Sequence, residues 1–237
     1  MSQTTNVTKS FRLIDRLIVI VAVCLVVSLI RADGQTASSP EPGTLLWKVR
    51  EAQRKHQAAL HIDESAVLWG DPKTLEGAIA SCSLLLVDLV DSVTTYTSTD
   101  VVTWYKFRLI ETLHKQPTVL EEPLPDGVPA SLLPVLQDEF LFYRFTGTIT
   151  LEGVAVSEDE GDAQSFKKDT RHLLYVTMRS PVLATATYGP KGLYWVDDHD
   201  AIRPLLDAPY NQLNREMNTK TKGTLDDLRT FSLLLAK

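Results

Sequence analysis

Cysteine is nearly missing: 237 residues hold only Cys24 and Cys82, and Cys24 lies inside an apolar run. If that run is removed, one thiol remains and no intramolecular disulfide can form. Such a chain must be held by its core alone, which a body of this size can supply. Cys82 closes an Ile79-Ala80-Ser81-Cys82 string that looks like a lipid-attachment box, but it sits far past the apolar run. Its position makes it a small buried hydrophobe at a helix-to-strand junction. Histidine is scarce as well, at five residues. The chain has no G-x-S-x-G elbow, no H-E-x-x-H, no paired C-x-x-C and no G-x-x-x-x-G-K-[ST] phosphate loop. These absences remove the commonest hydrolase, zinc-protease, thiol-redox and nucleotide-binding readings, and no catalytic residue or cofactor is assigned. Positive charge is in deficit too, with 24 Lys+Arg against 30 Asp+Glu.

What is present begins at the N-terminus. Lys9, Arg12 and Arg16 precede an apolar run from Leu17 to Ile30 in which only Ser28 is polar. Ala32-Asp33-Gly34 then offers a small-x-small site before Gln35. A positive region, an apolar core and such a site describe a secretory signal peptide covering residues 1–34. The competing reading is an uncleaved N-terminal membrane anchor, with residues 17–30 as a membrane tether. At about 1.5 Å per residue the run spans roughly 21 Å against a hydrocarbon core of about 30 Å, which is short. Either way the N-terminus stays in the cytoplasm and the rest is exported, to the periplasm or the cell exterior. Removing residues 1–34 takes four basic and two acidic residues, leaving 20 against 28 and a net charge of −8. An acidic body disfavours nucleic acid and anionic lipid as partners.

The exported chain divides by pattern. Residues 35–43 form a polar tether containing proline. Residues 44–81 read as helical: Leu45, Val49, Ala52, His56 and Ala59 recur on one face, and Asp71-Pro72 reads as an N-cap opening a second, short helix. Residues 82–206 change to strand character. Leu84–Thr97 and Val101–Leu113 flank a short polar turn, predicting a long hairpin. The stretch 116–137 holds five prolines and is a connection, with one helical turn at Ala130–Leu133. Strand character returns over Glu139–Leu151, and Glu152-Gly153 turns into Val154–Val156. Ser157–Thr170 reads as a charged loop, followed by strands at Leu173–Met178, Leu183–Tyr188 and Leu193–Val196, the last two joined across Gly189–Gly192. In residues 207–237, Thr224-x-x-Asp227 caps a terminal helix carrying Leu225, Leu228 and Leu235. The fold class expected is mainly β (α+β), a small antiparallel β-barrel or sandwich (OB-like) with N- and C-terminal helices.

Several strings carry a resemblance in this order: Ala80–Val87 (ASCSLLLV), Trp104–Glu111 (WYKFRLIE), Arg171–Val176 (RHLLYV), Tyr188–Val196 (YGPKGLYWV) and Ile202–Leu205 (IRPL). Their layout resembles a group of uncharacterised exported bacterial β-rich proteins. More remotely it is similar to the OB-like barrel of netrin-type and metalloproteinase-inhibitor domains. The resemblance implies a barrel over roughly residues 75–206. Those inhibitor domains use a cysteine at the mature N-terminus and several disulfides; no cysteine stands near Gln35, so no inhibitory residue carries over.

Among polar clusters, Asp197, Asp198, His199 and Asp200 form the best local candidate for a metal site or acid–base pair. The same tetrad also suits an exposed turn after a strand, and it lacks the alternate spacing of a calcium loop. Glu158-Asp159-Glu160-Gly161-Asp162 reads as a solvated acidic loop. Trp104, Tyr105, Tyr188, Tyr194 and Trp195 divide between core and a ligand platform, since alternation sends neighbours to opposite faces. The function expected is a non-catalytic binding or structural module of the cell envelope, with an unknown envelope protein or ligand as partner. The rival is an envelope hydrolase or metal-dependent enzyme using dispersed residues around His199 or His172.

Overall fold

The computed structural model describes residues 40–63, 72–116, 119–159, 163–206 and 211–235. The signal or anchor reading of residues 1–34, most of the tether and Asp71 lie outside these. The fold is α+β and mostly strand: a seven-stranded mixed sheet, part of it curled into a ring, with helices near both ends.

Helix α1 spans Leu45–Arg54 and is opened by Thr44, whose Oγ1 accepts the Trp47 amide at 3.3 Å. Leu45, Val49 and Ala52 are its buried face, as their spacing predicts. His56 and Ala59 do not belong to it. His56 adopts φ 56°, and Ala59–Asp63 is strand β1, so the stretch 44–81 is not wholly helical. Helix α2 spans Leu75–Ala80, three residues beyond the proposed proline start. Its N-cap is Thr74, which accepts the Gly77 amide at 3.1 Å. The cap thus falls on Thr74 and not on Asp71, and the helix it opens buries Leu75, Ala78 and Ile79 in the core.

Strands β2 (Ser83–Tyr96) and β3 (Val101–His114) form the predicted hairpin, paired from Tyr96↔Val101 to Leu84↔His114 with three register shifts. Strand β4 (Glu139–Arg144) adds to β3, and β7 (Arg171–Ser180) adds to the other side of β2. Strand β8 (Leu183–Ala186) then pairs antiparallel with β7 and parallel with β4, the latter through Leu141↔Leu183 and Phe142↔Ala184. The order β7-β2-β3-β4-β8 thereby returns on itself. One parallel seam makes the sheet mixed rather than purely antiparallel. Alternation fills the ring with Leu85, Val87, Tyr105, Phe107, Phe142 and Val176. Burying each such side chain contributes about 1.5–3 kcal/mol.

Strand β9 (Leu193–Val196) and β10 (Ile202–Pro204) widen the sheet beyond the ring. Gly189–Gly192 is a 3-10 turn rather than a hairpin loop. It lets β8 and β9 run in line along one edge of β7, at Val176–Ser180 and Arg171–Leu174 respectively. A Cβ on Gly192 would stand 3.2 Å from Tyr175 Cβ, so glycine permits the chain to lie this close to β7.

The strand expected over Glu139–Leu151 is broken. After Arg144 the chain leaves the ring, and β5 (Gly147–Leu151) joins β6 (Val154–Asp159) and β1 in a separate three-stranded sheet. Gly147 makes the bend at φ 131°; a Cβ there would meet Thr103 Oγ1 at 2.6 Å and Thr94 Cγ2 at 2.7 Å. Glu152-Gly153 is the predicted tight turn, both residues at positive φ. Helix α1 packs on this sheet against Ile62, Leu151, Val154 and Val156. Helices α3 (Gln212–Thr221) and α4 (Leu225–Leu235) join α2 over the outer faces of β2, β7 and β9. Thr224 Oγ1 accepts the Asp227 amide at 3.3 Å, completing the expected cap. Leu225 and Leu228 are buried, but Leu235 is exposed. The proline-rich connection, with a 3-10 turn at Ala130–Leu132, covers Val102, Trp104 and Leu141 on the outside of the ring.

Candidate functional site

A concavity follows from where β6 ends and β7 begins. The segment joining them was expected to be a charged loop, yet its one aromatic residue is in the core. Phe166 is 7% exposed, with its ring centroid 4.9 Å from Tyr105, 5.0 Å from Phe107 and 5.8 Å from Phe142. Residues 164–170 thus form a strap pinned at both sides. The Gln164 amide donates to the Leu205 carbonyl at 2.9 Å, and Arg144 Nη1 donates to the Gln164 carbonyl at 3.2 Å. Beside this strap lies a cleft of about 760 Å³. Its walls come from β2 and β3 (Asp88, Arg108), the start of β7 (Arg171, His172), and the end of β9 (Trp195). Strand register sets part of this lining: Asp88 stands between Arg108 on β3 and Arg171 on β7, and His172 is opposite Trp195.

His172 is 1% exposed and wedged against Phe166, with ring centroids 5.0 Å apart. Its Nε2 accepts the Lys167 amide at 3.3 Å, so the neutral ring carries its proton on Nδ1. Burial pushes its pKa down to about 4, against the opposing pull of the Thr170 backbone. The unfolded chain takes up this proton near pH 6.5 and the folded chain does so only near pH 4. Stability is therefore greatest above pH 6.5, falls as pH drops from 6.5 towards 4, and levels off below. The total loss from this group is about 3 kcal/mol. Urea unfolding measured from pH 7.5 to 3.5 should show wild type losing about 3 kcal/mol relative to His172→Phe as acid is added. A gap that stays constant with pH would remove this assignment.

The tetrad Asp197–Asp200 is placed at the turn between β9 and β10. Asp197 Oδ1 accepts the amides of His199 and Ala201, each at 2.9 Å, and these bonds, Ala201 first, hold its carboxyl below the usual range. Asp200 takes φ 59° and accepts Arg171 Nη2 at 2.8 Å. Asp197 and Asp198 border the cleft; His199 and Asp200 do not, and His199 is exposed. Side chains of the tetrad are thus used in the turn and its tie to β7. Among the described residues no three His, Cys, Asp or Glu side chains gather as a metal-holding group.

The second acidic cluster is not uniformly solvated. Glu158 is 2% exposed and its Oε2 accepts the Val101 amide at 2.6 Å, while Glu160 to Asp162 lie outside the described residues. Of the five aromatics, Trp104, Tyr105, Tyr188 and Tyr194 are buried and only Trp195 borders the cleft. Cys82 is buried between α2 and β2, its Sγ donating to the Ala78 carbonyl at 3.2 Å, and burial pushes the thiol up to about 12. Sequence reasoning missed the strap. The available signal was a lone phenylalanine in an otherwise polar stretch.

No protein-family model and no curated protein matches this chain.

Proposed function

We propose that this protein is an exported, non-catalytic binding module of the cell envelope, and that its ligand occupies the cleft beside the strap. The cleft carries the reading: it is the place where polar, charged and aromatic side chains from β2, β3, β7, β9 and the strap border one space. Concave sites with a few placed polar groups on a rigid scaffold are the usual form of small-ligand sites. Export rests on the basic residues, apolar run and small-x-small site of residues 1–34.

One preparation tests both parts. The full chain is expressed in a bacterium, fractionated and weighed. A product starting at Gln35 outside the cytoplasm is expected; full-length protein dissolved in the cytosol sinks export. Amide exchange is then followed with soluble envelope extract added. Slowed exchange across residues 164–172 is expected, and unchanged exchange there counts against a ligand in the cleft.

A further inference from the structure

The backbone beside the cleft narrows its ligand, a step that rests on the binding reading above. Strand β7 accompanies β2 only from Ser83 to Asp88. Just before β7 begins, Asp169 at φ 59° turns the chain out of that lane and into the strap. From Leu89 to Tyr96, β2 has β3 on one side and, among the described residues, no strand on the other. Hydrogen-bonded pairs alternate along an antiparallel ladder, which fixes where this backbone points. The Thr97 amide donates to the Asp100 carbonyl at 2.9 Å, and the register runs without a shift from Tyr96 back to Asp91. Thr95 and Val93 therefore bond to β3, while Ser92, Thr94 and Tyr96 turn their N–H and C=O groups to the empty side. The Ser92 amide is met by Asp91 Oδ1 at 2.9 Å; those of Thr94 and Tyr96 have no acceptor among the described residues.

This edge is built to be paired. Ser92 and Tyr96 are exposed, Val93, Thr94 and Thr95 are β-branched, and the stretch holds neither charge nor proline to repel a further strand. Its lane opens at one end into the cleft, which Asp88, Leu89 and Val90 border. Asp88 and Asp91 flank the lane, and Asp91 meets only the exposed Lys168, at 3.3 Å. The chain as a whole carries a net charge of −6, so a basic partner is attracted here and a second acidic copy is not.

We infer that the ligand is an extended segment of another polypeptide, rich in β-branched residues and carrying a lysine or arginine. It adds antiparallel to β2 in the lane that β7 leaves empty, and its C-terminal end enters the cleft. The outward groups of Thr94 and Tyr96 hold its backbone, and Asp91 sets its register.

The full chain in detergent is titrated, by fluorescence anisotropy, with a labelled peptide Thr-Val-Thr-Val-Lys-Thr and a series moving the lysine to each position. The comparison set has glutamate for lysine, or N-methylated peptide bonds. Saturable binding of the lysine series is expected, about tenfold or more weaker for the comparison set, with slowed amide exchange at Thr94 and Tyr96. Thr94→Pro removes an outward donor and no bond to β3, and should weaken binding by a similar factor. Asp91→Lys should do the same, and it leaves the backbone untouched should the proline disturb the contact of Thr94 with Thr103. Binding that survives both variants and N-methylation overturns the placement on β2. If no peptide binds while envelope extract still slows exchange across residues 164–172, the peptide is overturned and the cleft remains a site. No effect of either overturns both. Self-association of the wild type, lost in Thr94→Pro, would put a second copy on the edge and overturn a foreign partner.

Discussion

Replacing Phe166 with alanine will cost about 3–5 kcal/mol, although the residue sits between Ser165 and Lys167 in a stretch rich in charge. The magnitude follows from what the ring touches. Its centroid lies within 5.8 Å of those of Tyr105, Phe107, Phe142 and His172, and the Arg144 guanidinium carbon stands 5.8 Å from it. Truncation leaves a void lined by those rings, and edge-on aromatic contacts are lost in addition to buried area. Nearby Lys168→Ala, at an exposed position, should stay within about 0.5 kcal/mol of wild type. Urea unfolding of both variants decides the matter. A Phe166→Ala loss below about 1 kcal/mol would mean that the strap is not seated in the ring.

The second large effect lies on the outside of the ring. Glu139 is 4% exposed, and its Oε2 meets Lys106 Nζ at 3.2 Å and the Leu136 amide at 3.2 Å. Lys106 Nζ also donates to the Pro134 carbonyl at 2.8 Å, so the pair ties the proline-rich connection to β3 and β4. Burial pushes the Glu139 carboxyl up, but the Leu136 amide and Lys106 outweigh it and hold the group below the usual range. Glu139→Ala leaves the half-buried Lys106 ammonium without its closest counter-charge and the Leu136 amide without its acceptor, and should cost about 3 kcal/mol. Glu139→Leu combined with Lys106→Met should recover most of that, because both desolvated charges are then gone. A double variant as unstable as the single one would show that the carboxylate acts through something other than this pair.

The hairpin of β2 and β3 was readable because it is local and half-buried along its length. Tyr105 and Phe107 alternate with Lys106 and Arg108, and the pleat enforces that alternation. Thr224-x-x-Asp227 and Glu152-Gly153 were readable for the same reason, each being settled within a few residues. What escaped depends on distant partners. Asp71 before Pro72 reads as a cap, yet the helix opens at Thr74, where Leu75, Ala78 and Ile79 reach the core. The strand pattern runs unbroken from Glu139 to Leu151, because leaving one sheet for another at Gly147 changes the neighbours and not the periodicity. Glu158 reads as one more surface acid until the Val101 amide is seen beside it. The cleft is the extreme case: strands far apart in the chain and a strap with no periodicity of its own supply its walls. Within the tetrad, the turn could be read from aspartate preference, but the tie from Asp200 to Arg171 could not.

The ring has a consequence for a chain with so little cysteine, which cannot rely on crosslinks. Exposed strand edges are where folded chains recruit one another into polymers. Here β2, β3, β4, β7 and β8 each have a neighbour on both sides, the last link being a seam of two residue pairs. The bridge Ala201↔Thr224 occupies chain adjoining β10, next to the margin of the widened sheet. Among the described strands, the margins left for such recruitment are thereby reduced to the ends of the ring strands, β10, and the outer strands β1 and β5 of the smaller sheet.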